Sequence, residues 1–149
     1  MSSYQHMDEL ITIRLPVEQV FAFVTDHAND KLWKTFVTES RMISSGRIGK
    51  GTLFEVVIAP GGRRIAGQVE ILEYEPHRWY VYRSNSQLIP FVAQMEFSSV
   101  PDGTHIRGHV EFQTKGIWTF IAPLFLIFFR SQTKRTFARL KTVLEGSIS

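Results

Sequence analysis

Between residues 37 and 113 the chain breaks into six segments of strand character, joined by turns too short to carry a crossover, and this pattern restricts the fold more than any other feature. The segments are 37–44, 52–59, 63–75, 78–84, 91–99 and 105–113, separated by GRIGKG, PGG, PH, NSQ and PDG turns. Parallel neighbours need connections of about a dozen residues or more, so these strands are expected to pair antiparallel. Residues 4–14 (YQHMDELITIR) read as a further strand, ended by Leu15-Pro16, where Pro suits the first turn of a helix. Val17, Val20, Phe21 and Val24 then recur at helical spacing to about Thr25, and residues 26–36 are expected to form a second short helix.

Alternation divides the sheet into two faces, because neighbouring side chains on a strand point to opposite sides. Ile106, Gly108, Val110 and Phe112 share one face; His105, Arg107, His109 and Glu111 share the other. Phe91, Ala93, Met95 and Phe97 oppose Gln94, Glu96 and Ser98 in the same way. Phe54, Val56 and Ile58 oppose Glu55, and Val69 and Ile71 oppose Gln68 and Glu70. One face is therefore dry and must be covered.

The one element long enough to cover it is helical, over residues 117–145, with Phe137, Leu140 and Leu144 continuing an apolar stripe and Gly146 suited to stop it. Lys134, Arg135, Arg139 and Lys141 fall in its C-terminal half, where the helix dipole favours cations. The predicted architecture is a single α+β domain over residues 1–149: a seven-stranded curved antiparallel sheet wrapped around a long C-terminal helix, with two short helices between the first two strands.

Residues 117–129 are apolar apart from Thr119, thirteen residues in all, too few for the roughly 20 that a membrane-spanning helix needs. This half is apolar nearly all round, more than one packing stripe requires. The surplus around Trp118, Ile121, Phe125 and Phe128 must meet something, and three readings stay open: core and cavity lining, a homodimer contact, or peripheral docking on a membrane surface beside Arg130, Lys134 and Arg135. Charge follows the same division, since residues 1–116 carry 12 basic and 13 acidic groups and residues 117–149 carry 5 and 1. A nearly neutral body with one basic helix is poor material for an extended phosphate track, so no nucleic-acid partner is expected, Arg63-Arg64 notwithstanding.

With no cysteine, thiolate zinc sites, iron–sulfur clusters and a cysteine nucleophile are excluded. No basic segment leads into an apolar run at the N-terminus, and a cytoplasmic location is expected. The stretch from Gly46 to Thr52 looks like a fragment of a phosphate loop, but Gly51 separates Lys50 from Thr52 and the stretch joins two strands, so it reads as a plain turn. Glu55, Glu70, Glu96, Glu111, His105 and His109 all fall on the wet face. His105 and His109 lie about 13 Å apart along one strand, too far to share a metal. Asp26 and His27 are read as helix-end or turn residues. No catalytic residue, metal site or cofactor is assigned.

Several short features, in order, carry a resemblance: Leu15-Pro16-Val17 with Val20-Phe21-Ala22-Phe23, then Thr25-Asp26 leading to Trp33; Gly49-x-Gly51-Thr52 before a strand; Val69-x-x-x-Glu73-x-Glu75-Pro76; Gly103-Thr104; and Leu140-Lys141-x-x-Leu144-Glu145. In these the chain resembles the SRPBCC or START-like superfamily of helix-grip, pollen-allergen-like proteins, nearest to the polyketide cyclase/dehydrase family. His27 and Lys34 stand where relatives often have Pro. The resemblance implies a hydrophobic cavity between sheet and helix but no single chemistry.

The expected function is therefore binding or carriage of a hydrophobic small molecule, such as a lipid or polyketide. A polyketide cyclase/dehydratase-like enzyme is the alternative, and a membrane-associated lipid or quinone chaperone a further one. The expected wall is Trp33, Phe36, Phe54, Val56, Trp79, Phe91, Met95, Phe97, Ile106, Trp118, Ile121 and Phe125, with Tyr82, Gln94 or Ser84 orienting the ligand if they reach inward. Trp79 is preferred to Tyr80 because relatives place apolar residues at positions 79 and 81.

Overall fold

The computed structural model describes the backbone of residues 2–59, 62–85, 90–115 and 118–146; within these, side chains are described for residues 8–111, 127 and 130–146. Strand β1 (Ser2–Ile13) leads into helix α1 (Val17–Thr25), a 3₁₀ turn at His27–Asn29 and the four-residue helix α2 (Asp30–Trp33). Strands β2 (Val37–Met42), β3 (Leu53–Ile58), β4 (Ile65–Glu75), β5 (Trp79–Asn85), β6 (Phe91–Val100) and β7 (Gly103–Lys115) follow, then helix α3 (Trp118–Gly146). They form one antiparallel sheet in the order β1, β7, β6, β5, β4, β3, β2, so that each strand from β2 onward pairs with the next and β1 closes on β7. This is the expected α+β arrangement, with element ends within about two residues of those the sequence predicts.

The core lies on the concave face. Ile13, Val20, Phe21, Val24, Phe54, Ile71, Tyr80 and Ile106 are almost wholly buried there, and α3 closes over them with Phe137, Leu140 and Leu144. Two glycines set how closely parts approach. A Cβ on Gly103, whose φ is +142°, would collide with Ile13 O and come within 2.8 Å of Arg14 Cα, so the β6–β7 turn can press on the end of β1 only without a side chain. A Cβ on Gly108 would lie 3.1 Å from Met95 Sδ and 3.2 Å from Phe137 Cζ, which shows how tightly α3 seats on β7.

The phase of β5 differs from expectation. Tyr80 and Tyr82 point into the core, 1% and 7% exposed, while Trp79 turns to the opposite face. Trp-Tyr-Val-Tyr is apolar or aromatic at every position, so alternation alone cannot choose between the phases. Pairing does: Tyr80 lies opposite Met95 and Tyr82 opposite Ala93 on β6, and directly opposed residues share a face. On the other side Tyr82 pairs with Ile71 and Tyr80 with Tyr74, and a bulge between Ile71 and Glu73 absorbs the mismatch.

Candidate functional site

Beneath α3, between β5, β6, β7 and the α2 segment, the concave face keeps a cavity of about 70 Å³. The sheet contributes Tyr82, Phe91, Met95, Gly108 and Val110 to its lining; the α2 segment contributes Trp33, Lys34 and Phe36; α3 contributes Thr133, Thr136 and Phe137; Glu9 stands on β1. Its apolar walls close on a few polar groups, the usual make-up of a small-molecule site.

The segment that positions Trp33 and Lys34 is built from local hydrogen bonds. Thr25 Oγ1 donates to Phe21 O at 2.8 Å as α1 ends, and the Asp26 carboxylate accepts from Ala28 N at 3.1 Å, the turn role expected of it. Asn29 Nδ2 donates to Phe23 O, and Ser40 Oγ on β2 donates to Ala28 O at 2.8 Å while accepting from Lys31 N at 3.2 Å. These bonds hold the segment against β2 and turn one side of it inward.

That inner side carries ionisable groups. His27 is fully buried, with Nδ1 2.9 Å from Asp30 Oδ2 and Nε2 3.2 Å from the Tyr80 hydroxyl. Lys34 Nζ donates to the same Asp30 oxygen at 3.0 Å and sits 5.2 Å and 5.4 Å from the ring centres of Trp33 and Tyr82. Burial alone pushes the Asp30 carboxyl up, but attraction to His27 and Lys34, with their hydrogen bonds, outweighs it and holds the group below the usual carboxylate range. For Lys34, burial pushes the ammonium down, and attraction to Asp30 reverses this, so the lysine is held above its ordinary value and stays charged. Burial raises both tyrosines, Tyr80 well above the ordinary phenol and Tyr82 less so, because Lys34 offsets part of the effect. The result is a cavity bordered by one fixed cation and a neutral phenol.

The predicted wall residues separate into four groups. Trp33, Phe36, Phe91 and Met95 line the cavity. Phe54, Val56, Phe97 and Ile106 pack in or against the core without lining it. Trp79 lies across the sheet, in a wider hollow of about 440 Å³ bordered by Leu10, Arg78, Glu96, His105 and Arg107. Trp118, Ile121 and Phe125 fall in α3, where their side chains lie outside the described residues. Of the three orienting candidates, Tyr82 borders the cavity, Gln94 is exposed and bonded to Glu96, and Ser84 does not line it.

Lys34 is the charged lining side chain that period-two reasoning missed. The rule governs strands, whereas His27, Asp30 and Lys34 recur at i, i+3 and i+7, a helical spacing that would have placed them on one side. On the outer face His109 Nδ1 lies 2.6 Å from Asp8 Oδ1. Among the described residues no three His, Asp or Glu side chains gather as a metal site, and no helix is long and apolar enough to cross a membrane.

The family model described as polyketide cyclase / dehydrase and lipid transport matches residues 4–145. No curated protein sequence matches the chain. Solved structures resemble it closely in fold at low identity. A Staphylococcus aureus protein of unknown function superposes with a TM-score of 0.81 at 11% identity, covering 99% of this chain and 97% of its own. The ZhuI aromatase/cyclase from Streptomyces sp. R1128 gives 0.80 at 10%, covering 99% and 97%. Ara h 8.0201 gives 0.73 at 17%, covering 97% and 99%. These likenesses establish the helix-grip fold.

Proposed function

The chain belongs to the polyketide cyclase / dehydrase and lipid transport family, and from that premise we propose that it binds or carries a hydrophobic small molecule held between the sheet and α3. The observation that carries this reading is the cavity itself, with the apolar side chains of Phe91, Met95 and Val110 on the sheet face that α3 covers, closed by Phe36 and by Phe137 of α3. Its volume of about 70 Å³ is well below the 300–1,000 Å³ typical of occupied ligand sites, so loading widens it. Phe36, 42% exposed, is a lining side chain with room to move.

Affinity then comes from apolar burial, about 0.8 kcal/mol per methylene, or roughly fourfold per carbon in a homologous series. The test is a fluorescence titration with N-phenyl-1-naphthylamine, a neutral apolar probe, displaced by alcohols of increasing chain length. A stepwise rise in affinity with length supports carriage. A flat series, or no probe binding, contradicts it.

A second reading, a cyclase/dehydratase-like enzyme, is favoured by one observation: charged Lys34 borders the cavity beside Tyr82. A fixed ammonium polarises a carbonyl and stabilises the enolate that forms from it. Lys34→Met abolishing turnover of a poly-β-ketone, with its binding retained, would favour the enzyme over the carrier. Substrate recovered unchanged with the native protein would exclude turnover of that substrate.

A further inference from the structure

The polar groups of the cavity do not balance. The Trp33 indole Nε1 and the Thr136 hydroxyl are buried with no hydrogen-bond partner among the described residues, and both side chains belong to the cavity lining. The indole N–H can only donate, and a hydroxyl can donate as readily as accept. Lys34 adds an ammonium with three protons, of which one goes to Asp30 Oδ2 and a second toward the Tyr82 hydroxyl, leaving one to offer. The cavity lining thus holds donors that no described residue accepts from, while the unpartnered buried acceptor, Asp30 Oδ1, belongs to a side chain outside the lining, a costly arrangement unless something else accepts from those donors. Phe36, Met95 and Phe137 surround them with apolar surface.

We propose that the ligand is an apolar molecule ending in an oxygen acceptor, a ketone carbonyl or a carboxylate, which takes hydrogen bonds from Lys34 Nζ, Trp33 Nε1 and Thr136 Oγ1 while its hydrocarbon body lies against Phe36, Met95 and Phe137. This deepens the carrier reading and rests on it. Lys34 is suited to the task because Asp30, buried beside it and not itself part of the lining, keeps it charged. The site discriminates by chemistry: an isosteric hydrocarbon leaves the same donors buried and unpaired, and such sites reject analogues that lack the polar atom.

The test is displacement of N-phenyl-1-naphthylamine by 1-acetonaphthone, 1-naphthoate and 1-ethylnaphthalene, which share a ring system and differ in the oxygen. The native protein should bind each oxygen compound at least tenfold more tightly than the hydrocarbon. Thr136→Val and Trp33→Phe, which leave the Asp30–Lys34 pair intact, should each reduce that preference severalfold, read as the ratio of oxygen compound to hydrocarbon within each variant so that any change in probe affinity cancels; Lys34→Met should nearly erase it. Probe binding with no preference for oxygen overturns this inference and leaves the carrier reading standing. Equal preference in native protein and Thr136→Val, Trp33→Phe and Lys34→Met variants also overturns it. A protein that binds no probe overturns both.

Discussion

Two carboxylates in this molecule each sit between two nitrogen-bearing side chains, and they differ in almost everything else. Asp30 lies between His27 and Lys34 with its side chain 2% exposed, under the helical layer and next to the cavity. Glu145, near the end of α3 and 11% exposed, accepts from Arg14 N at 2.9 Å, from the Arg14 guanidinium at 3.1 Å and from Lys141 at 2.9 Å, partners whose side chains are 69% and 42% exposed. Lys141 also donates to Thr12 O at 2.7 Å, so this outer cluster fastens the end of α3 to β1. The inner cluster holds together segments already joined by backbone and hydroxyl hydrogen bonds, and desolvating its charges is expensive. A fastener does not need burial; a charge offered to a ligand inside an apolar cavity does.

If that difference is right, breaking the inner cluster has the largest effect. Asp30→Ala strands Lys34 and should cost about 3–5 kcal/mol in chemical denaturation, the usual penalty for leaving one partner of a buried pair alone. The double change Asp30→Leu with Lys34→Met should recover most of that loss, since a buried pair replaced by apolar groups is often neutral. A double variant as unstable as the single one would show that the pair is not the reason for the burial.

Next in size is the response to pH. The folded chain holds the Asp30 carboxyl low, so its contribution is complete above the ordinary value of about 3.9 and drains away as pH falls through its lowered folded value. Lys34 is raised, so its contribution is complete below about 10.4 and is lost as pH rises through its folded value. For Glu145, burial opposes ionisation but the Arg14 N–H, Lys141 and the Arg14 guanidinium outweigh it and take the group to about 2, placing its loss between roughly pH 4.3 and 2. Stability measured against pH should show a smaller alkaline decline in the Asp30→Leu, Lys34→Met double variant, the remainder coming from the raised Tyr80 and Tyr82, and an unchanged one in Glu145→Gln. The reverse assignment would break the comparison.

The smallest effect belongs to the outer cluster. Glu145→Gln should cost about 1 kcal/mol or less, and the loss should shrink further as salt is added, because exposed pairs are screened. A salt-insensitive loss of several kcal/mol would mean that the two clusters are alike after all.

The same contrast explains what was readable in the sequence. Wherever one side of a strand is apolar and the other charged, as in His105 to Glu111 or Phe91 to Ser98, period two assigns the face, and the helix stripe of Phe137, Leu140 and Leu144 names its own partner surface. Trp79 and Tyr80 were illegible because both carry large aromatic side chains, and only the pairing of Tyr80 with Met95 and of Tyr82 with Ile71 fixes the direction of the strand. Lys34 was illegible for another reason. A lysine counts as a surface residue until Asp30, four positions earlier, is seen to be buried with it, and the segment around Asp30 is held by bonds from Ser40 to Ala28 and Lys31 and from Tyr80 to His27, partners on later strands.

The central claim, that ligand enters the concave side beneath α3, is tested most directly by following the indole N–H signals of Trp33 and Trp79 by NMR during titration with 1-acetonaphthone. The two tryptophans stand on opposite faces of the sheet. A large saturable shift is expected for Trp33 and almost none for Trp79. A shift confined to Trp79, or none at Trp33 when the probe is displaced, would contradict it.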